Sequence, residues 1–195
     1  MHAHVYTALA LCAALTLGAC SSDTGDGADS AASVPLAERV TLEGLSFQPP
    51  TRWKSEEPSS SMRLAQYRID PASGDTGPGE CALFHFPGTG GSVQANIDRW
   101  IGQFQQPDGS SSADHATIEK LPHDSLSITY VDISGTYTGG SGGMGAPSAP
   151  QEGYRMVAGV VEMPQGPWFM KCVGPSATMD VTAPGLKALL RTVRG

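Results

Sequence analysis

Apolar residues recur along this chain with two periods, and the switches between them mark its elements. Val40 and Leu42, then Leu45 and Phe47, alternate with polar neighbours and predict short extended segments. Pro49-Pro50 turns the chain, because neither ring nitrogen can donate a hydrogen bond. Trp53 is placed at the edge of the core, and 56–61 reads as loop. Residues 62–69 predict a strand that Asp70-Pro71 stops, and a turn-rich loop runs over 72–79. Residues 81–86 predict the next strand, with Ala82, Phe84 and Phe86 on one face and Cys81, Leu83 and His85 on the other.

The period then changes to that of a helix. Val93, Ile97, Trp100, Ile101 and Phe104 fall on one helical face, with Ser92 as N-cap and Pro107-Asp108-Gly109 as the stop. A polar loop over 110–114 leads to a short strand, 116–121, and a turn at Pro122-His123-Asp124. Leu126, Ile128 and Tyr130 alternate, but Val131 and Ile133 take the opposite phase, which predicts a β-bulge. A Gly, Ser, Ala and Pro loop covers 139–150, between strands at 126–133 and 154–163. A last strand spans 168–173, and Leu186, Leu189, Leu190 and Val193 predict a C-terminal helix with Pro184 in its first turn. Most joins are hairpin-like. The expected fold is α+β, a mainly antiparallel sheet covered by helices.

The N-terminal residues follow neither period. The apolar run over 5–17 is short of the about 20 residues that cross a bilayer as a helix. It ends in Leu17-Gly18-Ala19-Cys20, the lipobox pattern of bacterial lipoprotein signals. The expected organisation is a signal peptide over 1–19, a lipidated Cys20 with a flexible tether over 20–38, and one domain over 39–195. Residues 21–33 of the tether have almost no large apolar side chain and cannot bury enough surface to fold. Several acyl chains, at about 0.8 kcal/mol per buried methylene, make a stable membrane anchor. The n-region departs from the pattern: it carries His2 and His4 but no Lys or Arg. Ser21 after the anchor leans the expected location towards the outer membrane, on the periplasmic side.

Composition narrows the partners. The 195 residues carry a formal charge of −7, and the Lys and Arg residues are scattered. Nucleic acid is therefore not expected as a partner, since phosphates are held by a concentrated basic face. With Cys12 lost to the signal and Cys20 acylated, Cys81 and Cys172 are left over. In an oxidising envelope they are expected to form a disulfide; two buried thiols or a metal pair are the alternatives.

Candidate chemistry is sparse. Gly139-Gly140-Ser141-Gly142-Gly143 matches the spacing of a nucleophile elbow, but Met144-Gly145-Ala146-Pro147 cannot start the helix that must follow it. Gly88, Gly90 and Gly91 between a strand and a helix resemble an anion cradle without the Lys-Ser/Thr pair of a P-loop. His85, Asp114, His115, His123 and Asp124 are metal-ligating types at no metal-binding spacing. No cofactor is expected. Asn96, Arg99 and Gln103 lie off the apolar stripe of the helix, and Trp168 and Lys171 share a strand; together these form a candidate interaction surface.

One resemblance covers nearly the whole domain. Gly44-Leu45-Ser46-Phe47 with Trp53, residues 58–63, Gly91-Ser92-Val93 with Asn96-Ile97 and Arg99-Trp100, Gly153-Tyr154-Arg155-Met156, and Gly166-Pro167-Trp168-Phe169 with Lys171 resemble a family of small bacterial envelope lipoproteins. The order of elements is similar to the PsbP-like α/β/α sandwich. That resemblance implies a domain that binds a partner without catalysis, here a protein or envelope component, while the membrane is engaged through the lipid. The alternative is an envelope enzyme or small-ligand carrier whose pocket is built from His85, His115 or His123 and neighbouring aromatics.

Overall fold

The computed structural model describes residues 33–88, 90–139 and 149–195, and Val34–Gly195 form one compact unit. The signal peptide, Cys20, nearly all of the tether, Ser141 and most of the loop over 139–150 lie outside the described residues.

The chain runs β1 (Val40–Leu42), β2 (Leu45–Phe47), β3 (Lys54–Glu56), β4 (Ala65–Ile69), β5 (Gly79–His85), α1 (Val93–Ile101), β6 (Phe104–Gln105), α2 (Ser112–His115), β7 (Thr117–Leu121), β8 (Ser127–Tyr137), β9 (Gln151–Glu162), β10 (Trp168–Pro175) and α3 (Ser176–Arg191). β1 and β2 form a hairpin of their own. The other strands make one antiparallel sheet in the order β3-β4-β5-β10-β9-β8-β6, with β7 also on the free edge of β8. The fold is α+β, as the pattern of strands and helices predicts.

Helices cover both faces of the sheet, so its central strands bury both parities. On one side Cys81, Leu83, Trp168, Met170, Tyr130 and Val157 pack against Met179, Leu186, Leu189 and Leu190 of α3 and against the β1–β2 hairpin. On the other, Val131, Ile133, Met156, Ala158, Val160 and Phe169 pack against Ile97, Trp100 and Ile101 of α1. This two-sided burial corrects the expected bulge at Tyr130–Val131. The pairing there is unbroken, Tyr130 with Gly159 and Val131 with Ala158, and the phase change records only that each parity meets its own core. The register shift lies further on, between Gly135 and Tyr137. Gly135 has φ +151°, and a Cβ there would stand 2.7 Å from the Gln105 carbonyl oxygen of β6.

The domain also starts earlier than expected. Ala37 N–H donates to Pro49 O at 2.8 Å and Thr51 N–H to Pro35 O at 3.0 Å, so Pro35 to Ala37 belong to the folded body. The prolines of the turn cannot donate, but their carbonyls still need donors. A short helix, α2, replaces part of the expected polar loop. The C-terminal helix begins at Ser176, which puts Pro184 in its interior, on the exposed side, and not in its first turn. Its cap comes from afar: the Asp75 carboxylate accepts from Thr178 N and Oγ1, both at 2.6 Å.

Both ends of the folded body are stitched together. Ser46 and Arg194 exchange two backbone bonds of 2.8 Å, and Arg39 donates to Thr192 O at 2.8 Å. Cys81 and Cys172 face each other in the β5–β10 register and are joined as a disulfide, which decides between the three readings of this pair.

Close approach of α3 to the sheet depends on Gly159. A Cβ there would lie 2.7 Å from both methyl carbons of Leu190. Gly159→Ala is expected to destabilise the fold by about 1–3 kcal/mol through overpacking, read as a lower urea midpoint with an unchanged m-value.

Candidate functional site

Helix α1 is fixed at its start by two side chains. Ser92 Oγ accepts from Ala95 N–H at 3.1 Å, closing the first turn. Asn96, expected at the surface, is only 3% exposed. Its Nδ2 donates to Gly90 O at 2.7 Å and Ser92 O at 2.9 Å, so the amide holds the glycine loop against the helix. Both protons of the Asn96 amide nitrogen are spent in this way, so Asn96 has no donor left for the anion cradle that the loop resembles. Thr89 lies outside the described residues.

Beyond this anchor the polar residues converge. Arg99 is exposed and donates through Nη2 to Asn96 Oδ1. Gln103 follows the helix end at Gly102; its main-chain oxygen accepts from Thr138 N–H at 2.8 Å, which fixes it over the sheet. Lys171 rises from β10 beneath it. The ammonium donates to Gln103 Oε1, lies 3.4 Å from Tyr137 Oη, and sits 5.3 Å from the centre of the Tyr137 ring. Arg63 stands close by and pairs with Glu80 at 2.8 Å. Burial, then repulsion from Arg99 and Arg63, brings Lys171 down to about 8, with Glu80 opposing. Among the described residues neither Lys171 nor Arg99 forms an ion pair.

Four of the five expected surface residues therefore share one site: Asn96, Arg99, Gln103 and Lys171. Trp168 does not. It is 1% exposed and belongs to the α3-side core, where it stacks on His85 with ring centres 4.1 Å apart. The correction follows from strand parity: residues three apart on one strand point to opposite faces, so Trp168 and Lys171 cannot line the same surface. Tyr137, Arg63 and Glu80 escaped the sequence reading. Lys171 pairs with Ala82 and Glu80 with Val173, and only this register brings them together.

The histidines are spread apart. His85 has a side chain 5% exposed, lies 3.5 Å from the Glu43 carboxylate, and has no hydrogen bond to either ring nitrogen. His123 Nε2 lies 3.0 Å from Val193 O while Nδ1 accepts from Leu126 N–H at 3.2 Å, which makes it a tie between a turn and the end of the chain. His115 Nε2 is 2.8 Å from Ser110 Oγ, beside an open cleft of about 550 Å³ lined by residues such as Asp98, Gln105, Gln106 and Ser112. Asp108 accepts from Ser110 Oγ at 2.6 Å. In an acyl-transfer triad the carboxylate orients the histidine; here it is bound to the serine. None of the three histidines lines that cleft, and among the described residues no three His, Cys, Asp or Glu side chains converge as for a metal ion.

The displaced titration of Lys171 has a measurable consequence. Between about 8 and the ordinary value of 10.5, the unfolded chain holds a proton that the folded chain has released. Stability therefore rises with pH across that window. Burial pushes the Tyr67 and Tyr137 phenols up from the ordinary value of 10.0, so their opposing contribution to stability begins only near the top of that window. Lys171→Met is expected to abolish the rise, an effect on the order of 1–3 kcal/mol in urea unfolding compared near neutrality and near pH 9.5.

No protein-family model matches the chain, and no curated protein matches it in sequence. Among solved structures it is similar to cyanobacterial PsbP (CyanoP) from Synechocystis sp. PCC 6803, determined in solution, with a TM-score of 0.48 and 12% identity over 91% of this chain and 99% of that one. A likeness at this level concerns the course of the backbone and carries no site or partner across.

Proposed function

We propose that the chain is a lipid-anchored protein of the bacterial cell envelope whose domain binds a protein or envelope component through the α1 face, without catalysing a reaction. The observation that supports the binding face best is the gathering of exposed Arg99 with Gln103 and Lys171, two cations given no carboxylate among the described residues. Arginine and tyrosine are common anchors at interfaces; Arg99 supplies the one, and Tyr137, beside the Lys171 ammonium, the other. The anchor rests on Leu17-Gly18-Ala19-Cys20, which would place the acyl chains on Cys20 and tether the domain on the periplasmic side.

Two measurements test this reading. Labelled palmitate should enter the wild-type chain and not Cys20→Ala; an unacylated chain, free in the medium, overturns the anchor. A photoreactive amino acid at position 99 or 103 should give one discrete adduct in intact cells, while the same group at position 124, on a turn away from this site, should not. Equal labelling at all three positions overturns the binding face.

A further inference from the structure

Lys171 stands apart from the other lysines of the protein. Arg155, with a side chain 20% exposed, is clasped by Asp132 at 2.6 and 2.8 Å and also meets Asp180. Lys54, Lys120 and Lys187 each meet a carboxylate. Lys171 is packed more deeply than Lys54 and Lys120 yet faces only neutral oxygens, from Gln103 and Tyr137. Arg99 and Arg63 stand near enough for their charges to act on it, and Glu80 is the one carboxylate that does. A chain with a formal charge of −7 thus leaves two neighbouring cations, Lys171 and Arg99, without a carboxylate partner among the described residues, while Arg63 is matched by Glu80 and Gln66. Covering a charge without a counter-charge costs stability, and like charges add to that cost.

We propose that Lys171 and Arg99 anchor an oxyanion, a carboxylate or a phosphate carried by the molecule that the α1 face binds. The assignment rests on that face being the binding surface. The geometry suits the chemistry. Arg99 commits Nη2 to Asn96, and its remaining N–H groups point from an exposed side chain, a fork that matches paired oxygens. Lys171 supplies a point charge from below, held in place by Gln103 Oε1. Tyr137 and Tyr154 lie parallel with ring centres 6.3 Å apart and give an apolar flank for whatever carries the anion. Glu80 is already engaged by Arg63, so it does not fill the place itself.

The test follows the titration of Lys171 by NMR in the full chain carrying Cys20→Ala, with inorganic phosphate or acetate added and chloride at matched ionic strength as reference. An anion at the site favours the ammonium, so the midpoint should climb from about 8 towards the ordinary lysine value in a saturable manner. Arg99→Gln, at an exposed position that leaves the fold intact, should weaken the anion about three- to tenfold. A response to phosphate alone assigns a phosphate; a response to acetate assigns a carboxylate. Identical midpoints in phosphate, acetate and chloride overturn the site, as does an Arg99→Gln variant that responds like the wild type. This result is independent of the crosslinking in cells. A silent titration beside a discrete adduct removes the anion and keeps the binding face, and the reverse keeps the anion and removes the face.

Discussion

Alanine at both Cys81 and Cys172 is expected to lower the unfolding free energy by about 4 kcal/mol and to raise the urea m-value. The bond spans a sequence separation of 91 residues. In the chain-entropy model a loop of that length restricts the unfolded chain by about 4.6 kcal/mol at 25 °C. The native state loses little, because β5 and β10 are paired over six positions on either side of and including these cysteines, and the ladder holds them in register unaided. The effect therefore sits in the unfolded ensemble, which is more compact with the bond than without it. This gives the experiment two readouts. A loss below about 1 kcal/mol with an unchanged m-value would show that loop closure is not the source of stabilisation. Both cysteines are 0% exposed, so thiol reductants should act slowly on the folded protein and quickly in denaturant.

Trp168→Ala should cost about 3–5 kcal/mol, while Arg99→Ala should cost about 1 kcal/mol, the loss of its bond to the Asn96 amide oxygen. The tryptophan is 1% exposed, pressed between β5, β9 and the β1–β2 hairpin, and its removal opens a cavity in the α3-side core. The neighbouring void lined by Leu45, Phe47 and Leu189 is only about 10 Å³, so nothing nearby is loose enough to collapse into the space. One term works the other way. His85 stacks on the indole, and neither of its ring nitrogens has a hydrogen-bond partner. Water entering the new cavity would satisfy them, which places the expected loss towards the lower end of the range. Equal effects at positions 168 and 99 would contradict the assignment of one to the core and the other to the surface.

These two residues also show what the sequence could disclose. Helix α1 was legible because its apolar side chains repeat on one face and Ser92 caps it locally. The two faces of β5 were legible from simple alternation; the odd spacing of Trp168 and Lys171 on a strand also decides their separation, against the shared surface expected of them. The start of α3 was not. Its capping carboxylate, Asp75, is 103 residues away, and its buried face begins with Thr178, Met179 and Thr182, which do not form an apolar stripe. Nor was the two-sided burial of β8: a strand covered on both faces loses its alternation, and a bulge gives the same signal. The site itself depends on which strands are neighbours. β5 and β10 bring Glu80 and Lys171 together across more than half of the domain's sequence, and no local pattern carries that information.

The exchange of bonds between Ser46 and Arg194, with Arg39 reaching Thr192, makes the two extremities of the folded body close neighbours. A short peptide could splice them, and the chain could be reopened in the turn at Pro164-Gln165-Gly166-Pro167, between β9 and β10. Every ladder partner would survive that rewiring. Such a permutant should refold to the same topology, with its new ends at Gln165 and Gly166.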